Sequence, residues 1–203
     1  MKVFISGGCK NGKSFYAQRL SKAQDNGKLY YVATMSSVDA EDDVRIIRHR
    51  QERDGWGFVT VEQPTSIEQI LERCDHGGSY LLDSVTALLA NEMFDADGNV
   101  DPASASKIIN GITQIMGTIE NIVIVSDYIY SDALVYDPMT DLYRKSLAQI
   151  DRAVAQMSDV VLEVSFSNVI VHRVPQDERW ANICSRELAL GDLSNRVAPS
   201  SSP

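Results

Sequence analysis

One octapeptide limits what this chain can fold into. Gly7-Gly8-Cys9-Lys10-Asn11-Gly12-Lys13-Ser14 satisfies G-x-x-x-x-G-K-[ST] at every fixed position. Val3-Ser6 before it is a short apolar run suited to a strand, and Lys13-Gln24 after it reads as a helix. In that context Gly7 and Gly12 free the backbone for a tight wrap, and successive N–H groups at a helix N-terminus face phosphate oxygens. Lys13 is expected to neutralise the β- and γ-phosphates, and the Ser14 hydroxyl to ligate Mg²⁺. The segment is therefore read as a P-loop for ATP or GTP, with Gly8, Cys9, Lys10 and Asn11 completing the cradle. Cys9 is taken as a small loop residue rather than a redox centre.

The rest of the pattern supplies the sheet such a loop requires. Apolar, β-rich runs at Val3-Ser6, Leu29-Ala33, Tyr80-Asp83, Ile122-Ser126 and Val160-Val164 alternate with helical patterns. Runs apolar almost throughout suit strands covered on both faces. The expected fold is α/β: a P-loop NTPase-like, mostly parallel sheet flanked by helices. Val160-Ser165 and Val169-Val174, around Ser167-Asn168, read as a C-terminal β-hairpin that forms an antiparallel edge. Helices are expected over Lys13-Gln24, Ala40-Arg53, Ser66-Cys74, Val85-Met93, Ala103-Ile119 and Pro138-Met157. Asp39, Thr65 and Asp137 stand as caps, and Pro138 as a first helical residue. One domain over residues 1–175 and a peripheral, frayed tail over 176–203 are expected.

Composition narrows the function classes. The 203 residues carry a formal net charge of −9, which argues against general affinity for nucleic acid or anionic membrane. No apolar run reaches membrane-spanning length, and no signal-peptide pattern follows Met1. The three cysteines, Cys9, Cys74 and Cys184, form neither a disulfide framework nor a zinc pattern. A cytoplasmic protein is expected.

A P-loop also needs an acid at the end of a neighbouring strand. Asp83 closes the run Tyr80-Asp83 and is the preferred metal-side carboxylate; Asp127, after Ile124-Ser126, is its rival. A second feature is Arg45-Ile46-Ile47-Arg48-His49-Arg50-Gln51-Glu52-Arg53, with four arginines in nine residues. On a helix, Arg45, His49 and Arg53 share one face. Flanking guanidiniums keep an imidazole neutral, which suits a nucleophile toward phosphorus, and they would hold phosphate oxygens. The same residues are also consistent with a solvated basic face on which His49 is incidental. His76 and His172 read as loop and hairpin residues.

These features, in this order, resemble the bifunctional adenosylcobinamide kinase / adenosylcobinamide-phosphate guanylyltransferase family. The resemblance runs through Ser6-Gly7-Gly8, Gly12-Lys13-Ser14, Tyr31-Val32-Ala33-Thr34, Asp39, Glu41, Arg45-Ile46, His49 and Arg53. It continues through Trp56, Thr60-Val61-Glu62, Pro64, Leu82-Asp83-Ser84-Val85-Thr86 and Asn91. It implies phosphorylation of the aminopropanol hydroxyl of adenosylcobinamide by ATP or GTP, then GMP transfer from GTP to adenosylcobinamide phosphate. It implies His49 as the guanylylated nucleophile, with Lys13 on the phosphates. Ala33, Thr34, Met35, Arg50, Gln51, Glu52, Arg53, Glu62 and Asp83 are implied to line the nucleotide site, with Ser14 and Asp83 at Mg²⁺. It further implies a trimer.

Where members usually carry Ser-Asn-Glu-Val-Gly after the fourth strand, this chain has Ser126-Asp127-Tyr128-Ile129-Tyr130. The later Gly and Asn-Gln pair are missing from Arg144-Val154. A relative with one activity or another acceptor, and a nucleotide-sensing NTPase, remain as alternative readings.

Overall fold

The computed structural model describes residues 1–36, 47, 54–95, 97–174 and 178–188. Its centre is a seven-stranded sheet. The strands are β1 (Lys2–Gly7), β2 (Leu29–Ala33), β3 (Phe58–Glu62), β4 (Ser79–Asp83), β5 (Asn121–Asp127), β6 (Val160–Ser165) and β7 (Asn168–Arg173). The spatial order is β3-β2-β4-β5-β1-β6-β7, with only the β6–β7 pair antiparallel. The helices are α1 (Lys13–Ala23), a short α2 (Ile70–Arg73) after a 3₁₀ turn at Ile67–Gln69, α3 (Val85–Met93), α4 (Ser104–Thr118), α5 (Pro138–Met157) and α6 (Glu178–Glu187).

Alternation along the central strands feeds two apolar layers. Phe4, Val32, Leu82, Ile122 and Ile124 face one way, onto Leu88 and Leu89 of α3, Ile112 of α4 and Leu147 of α5. Val3, Ile5, Leu81, Val123 and Val125 face the other, onto Ala17 and Leu20 of α1. Tyr30 and Tyr80, on adjacent strands, stack with ring centroids 4.9 Å apart. Removing these side chains from water on both faces is the main force holding the sheet together.

The expected elements are present wherever the chain is described, with four departures. The hairpin expected around Ser167-Asn168 turns at Phe166-Ser167, and Asn168 is the first residue of β7, paired with Ser165. Phe58–Glu62 is an edge strand that the apolar runs do not include, because Thr60 and Glu62 interrupt the apolar residues Phe58, Val59 and Val61. The helix expected over Ser66-Cys74 is a 3₁₀ turn plus a single helical turn, entered from a left-handed Ser66 with no side-chain cap from Thr65. Asp137 does cap α5, accepting from the N–H groups of Met139 and Thr140. In the segment expected to fray, Glu178–Glu187 is a helix laid against α1. Leu188 is buried there, and Arg19 Nε donates to Glu187 Oε2 at 3.3 Å. The helix expected at Ala40-Arg53, with its Asp39 cap, lies outside the described residues apart from Ile47. Among the described residues no helix is long and apolar enough to cross a membrane.

Register decides where chemistry can sit. Gly7 pairs with Asp127 on one side and Val164 on the other, and Ala33 pairs with both Glu62 and Asp83. The carboxyl ends of six parallel strands therefore share one edge of the sheet, where ligands of open α/β folds bind.

Candidate nucleotide site

The loop after β1 is shaped by two glycines with different duties. A Cβ on Gly7 would lie 2.2 Å from the Val164 carbonyl oxygen, so β1 and β6 can approach only because none is there. Gly12, with φ of 87°, is the left-handed residue from which α1 starts. Lys10 is also left-handed, at φ 59°. Cys9 is exposed and free.

The reactive groups of the loop are already engaged. Lys13 is nearly buried, and its Nζ donates to Gly8 O and to Asp127 Oδ1, both at 2.7 Å. The Ser14 hydroxyl donates to Asp83 Oδ2 at 3.1 Å, and the Tyr31 hydroxyl to the same oxygen at 2.9 Å. The two acids thus divide: Asp83 stands beside Ser14, and Asp127 beside Lys13. A hydroxyl and a carboxylate at the start of a phosphate-binding helix are the hard oxygen donors that Mg²⁺ takes alongside substrate phosphates, so the residues present fit that ion.

The neighbouring loops are tied to the same edge. Thr34 Oγ1 donates to Ser84 O at 2.7 Å and accepts from Ser84 N at 2.8 Å, joining the ends of β2 and β4. Asn91 Nδ2 donates to Thr34 O and Pro64 O, at 2.7 and 3.1 Å. Asp127 N donates to Thr86 Oγ1, and Tyr128 N to Gly7 O, both at 2.9 Å. Ala33 and Met35 flank Thr34, and Glu62 ends β3 on the same edge. Glu62 also borders an open cleft of about 680 Å³, but that cleft runs along β3 to Tyr30, Arg73 and Cys74, and among the described residues its lining includes none of the phosphate loop. The structure thus joins Lys13 to Asp127 and Ser14 to Asp83 at the loop, whereas Ala33, Thr34 and Met35 follow β2 and Glu62 ends β3 farther along the same edge of the sheet. His49, Arg50, Gln51, Glu52 and Arg53, with Arg45, lie outside the described residues.

One group went unnoticed in the sequence. Asp151 on α5 is 2% exposed, accepts from the Tyr130 hydroxyl at 3.0 Å, and has its Oδ1 buried without a hydrogen bond. Burial pushes its carboxyl up to about 7, and the nearby Asp127 charge adds to the rise. The Ser126 hydroxyl and the Tyr130 hydroxyl oppose it by favouring the anion. Ser126 Oγ makes no hydrogen bond of regular geometry, so the Tyr130 hydroxyl is the one that holds the carboxylate. The signal was readable: Asp151 sits four residues after Leu147 and three before Val154, on the apolar stripe of its helix.

A glycine-bounded loop between β1 and α1, with a lysine, a serine and an adjacent strand-end aspartate, on a parallel sheet with these crossovers, defines a protein of the P-loop NTPase fold. The model of the cobinamide kinase / cobinamide phosphate guanyltransferase family matches residues 3–167, and the chain belongs to that family. Among characterised proteins, it is 33% identical over 104 residues to the bifunctional adenosylcobalamin biosynthesis protein CobU of Escherichia coli, covering 50% of this chain and 55% of that protein. It is 34% identical over 92 residues to the bifunctional adenosylcobalamin biosynthesis protein CobP of Pseudomonas aeruginosa, covering 45% of this chain and 52% of that one. The matches therefore span about half the length of each relative. Similar solved structures include a KaiC-like protein from Pyrococcus horikoshii, with a TM-score of 0.48, 13% identity, and 87% of this chain and 81% of that one covered. Another is the flagellar accessory protein FlaH of Methanocaldococcus jannaschii, with a TM-score of 0.46, 13% identity, and coverage of 85% and 77%.

Proposed function

We propose that this chain is a transferase of cobalamin nucleotide-loop assembly that uses ATP or GTP with Mg²⁺. Gly7 to Ser14 hold the phosphates, Lys13 neutralises the β- and γ-oxygens, and Ser14 with Asp83 holds the metal. In the kinase step the aminopropanol hydroxyl of adenosylcobinamide attacks the γ-phosphorus, the nucleoside diphosphate leaves, and the hydroxyl proton is released. In the guanylyl step a His49 ring nitrogen attacks the α-phosphorus of GTP and pyrophosphate leaves. The phosphate of adenosylcobinamide phosphate then displaces His49, forming a phosphoanhydride with GMP. Ala33, Thr34, Met35, Arg50, Gln51, Glu52, Arg53 and Glu62 line the nucleotide. The protein works as a trimer in the cytoplasm.

The observation that carries this reading is the family match over residues 3–167, on a chain whose Ser14 meets Asp83 and whose Lys13 meets Asp127 at one loop. The test is incubation with α-³²P-labelled GTP and Mg²⁺, followed by assay for acid-labile, base-stable label on the protein. Label in the wild type and none in His49→Ala is expected. Equal label in both, or none in either, overturns the histidine step. ATP-dependent phosphorylation of adenosylcobinamide tests the kinase step separately, and light scattering tests the trimer.

A second reading, with guanylyl transfer alone, is favoured by one observation. The segment after β5 is Ser126-Asp127-Tyr128-Ile129-Tyr130 where relatives of this family usually carry Ser-Asn-Glu-Val-Gly, a change beside the loop on the side of the acceptor. Histidine labelling without cobinamide phosphorylation would select it.

A further inference from the structure

Phe166 and Ser167 form the turn between β6 and β7, with φ of 50° and 60°. Two-residue hairpin turns with positive φ at both positions favour Asn and Gly, and a bulky residue there is strained. The Phe166 side chain is 87% exposed, so burial does not compensate. A local rule broken without a packing gain points to use by a ligand.

The turn stands against both arms of the phosphate loop. Val164, two residues earlier, pairs with Gly7, and its carbonyl oxygen occupies the space a Gly7 side chain would need. The Tyr16 hydroxyl on α1 donates to Ser167 O at 2.8 Å, fastening the turn to the helix that opens at the loop.

Direction follows from the charged groups. Lys13 points to Asp127 at the end of β5, and Ser14 to Asp83 at the end of β4. Terminal phosphates and metal therefore belong on the β4–β5 side of β1. The sheet order puts β6 on the opposite side, and a nucleoside leaving the α-phosphate is directed there.

We propose that Phe166 is the stacking platform for the base of the nucleotide whose phosphates lie in the Gly7–Ser14 loop. The proposal rests on the phosphate-loop reading and adds the base subsite, for which an exposed ring supplies a flat apolar face. A ring stacks on any base, so the platform holds ATP and GTP alike.

The test is calorimetric titration of GTP, ATP and inorganic tripolyphosphate, each with Mg²⁺, into wild type, Phe166→Asn, Phe166→Leu and Phe166→Trp, with a melting curve for each. Phe166→Asn and Phe166→Leu are expected to weaken both nucleotides about tenfold while leaving tripolyphosphate within about twofold. Phe166→Trp is expected to bind nucleotides at least as well as wild type. Phe166→Asn is expected to melt no lower than wild type, since the turn is relaxed, and Phe166→Leu keeps the comparison open should Asn disturb the hairpin. Unchanged nucleotide binding in Phe166→Leu, or an equal loss for tripolyphosphate, overturns the proposal. Wild type that binds tripolyphosphate as tightly as GTP also overturns it, while leaving the loop intact. Wild type that binds neither removes the phosphate-loop reading, and this inference with it.

Discussion

Lys13 Nζ and Asp127 Oδ1 stand 2.7 Å apart, so the lysine of the phosphate loop already has a counter-ion. The lysine side chain is only 7% exposed and its partner 26%, which makes the pair stronger than a surface ion pair but still reachable by an incoming phosphate. A triphosphate entering the loop has to take the place of Asp127 on Lys13, or share it.

Asp127→Asn therefore separates two properties. Apo stability is expected to fall by about 1 kcal/mol, because Lys13 loses the charged partner of its hydrogen bond. Nucleotide affinity is expected to rise about fivefold, because one negative charge facing the phosphates is gone. Were Asp127 a metal ligand instead, affinity in Mg²⁺ would fall, so the sign of the change in a calorimetric titration distinguishes the roles.

Asp83→Asn should behave in the opposite manner. Asp83 receives the Ser14 hydroxyl at 3.1 Å and the Tyr31 hydroxyl at 2.9 Å. An amide keeps the shape but loses the charge that attracts a divalent ion. The Mg²⁺-dependent part of nucleotide binding, read as the difference between titrations with Mg²⁺ and with EDTA, is expected to shrink at least tenfold, about 1.4 kcal/mol. Tyr31→Phe is expected to change it less than threefold, since Ser14 still donates to the carboxylate. A variant Asp83→Asn with an intact Mg²⁺ effect would remove Asp83 from the metal.

The sequence made the sheet legible because the buried strands are apolar almost throughout, and the loop legible because its chemistry is local. Tyr80–Leu82 could be read without knowing its neighbours. Phe58–Glu62 was harder to read: Phe58, Val59 and Val61 favour a strand, but Thr60 and Glu62 interrupt the apolar run, and its pairing with β2 is what defines it. Asp83 could be preferred over Asp127 as the acid beside Ser14, but the pairing of Asp127 with Lys13 was out of reach. Both end apolar strands, and it is the register of β5 against β1 and of β4 against β5 that sets one beside Lys13 and the other beside Ser14. Glu178–Glu187 was hidden because few apolar residues, among them Ile183 and Leu188, anchor it among charged ones.

Gly7 and Gly12 are expected to fail differently when replaced. In Gly7→Ala the new methyl meets the Val164 carbonyl at 2.2 Å, so β1 and β6 must part, at about 2–3 kcal/mol. In Gly12→Ala nothing lies within 4 Å, and only the left-handed φ of 87° costs, at about 1 kcal/mol. With roughly 2–4 °C per kcal/mol for a chain of this size, Gly7→Ala should melt clearly below Gly12→Ala. Equal melting temperatures would mean that the β1–β6 approach is not tight.

Asp151 gives the fold a pH dependence of unusual sign. Its carboxyl is pushed up to about 7 by burial, against 3.8 for the exposed group. Between those values the native state keeps a proton that the unfolded chain has released. Stability from this group is therefore fully present below about pH 4, falls as pH rises toward 7, and stays flat above it. Asp151→Asn removes the cost of burying the anion while keeping the side chain's shape. At pH 8 the variant is expected to be more stable than wild type by about 2–4 kcal/mol, and at pH 4 the two should nearly coincide. Tyr130→Phe deletes the hydroxyl that donates to Asp151 Oδ2, so the carboxyl should rise further and the decline extend to higher pH. Urea titrations of the three proteins from pH 4 to 9 decide the matter. Parallel stability curves for wild type and Asp151→Asn across that range would show that Asp151 does not titrate in the folded protein.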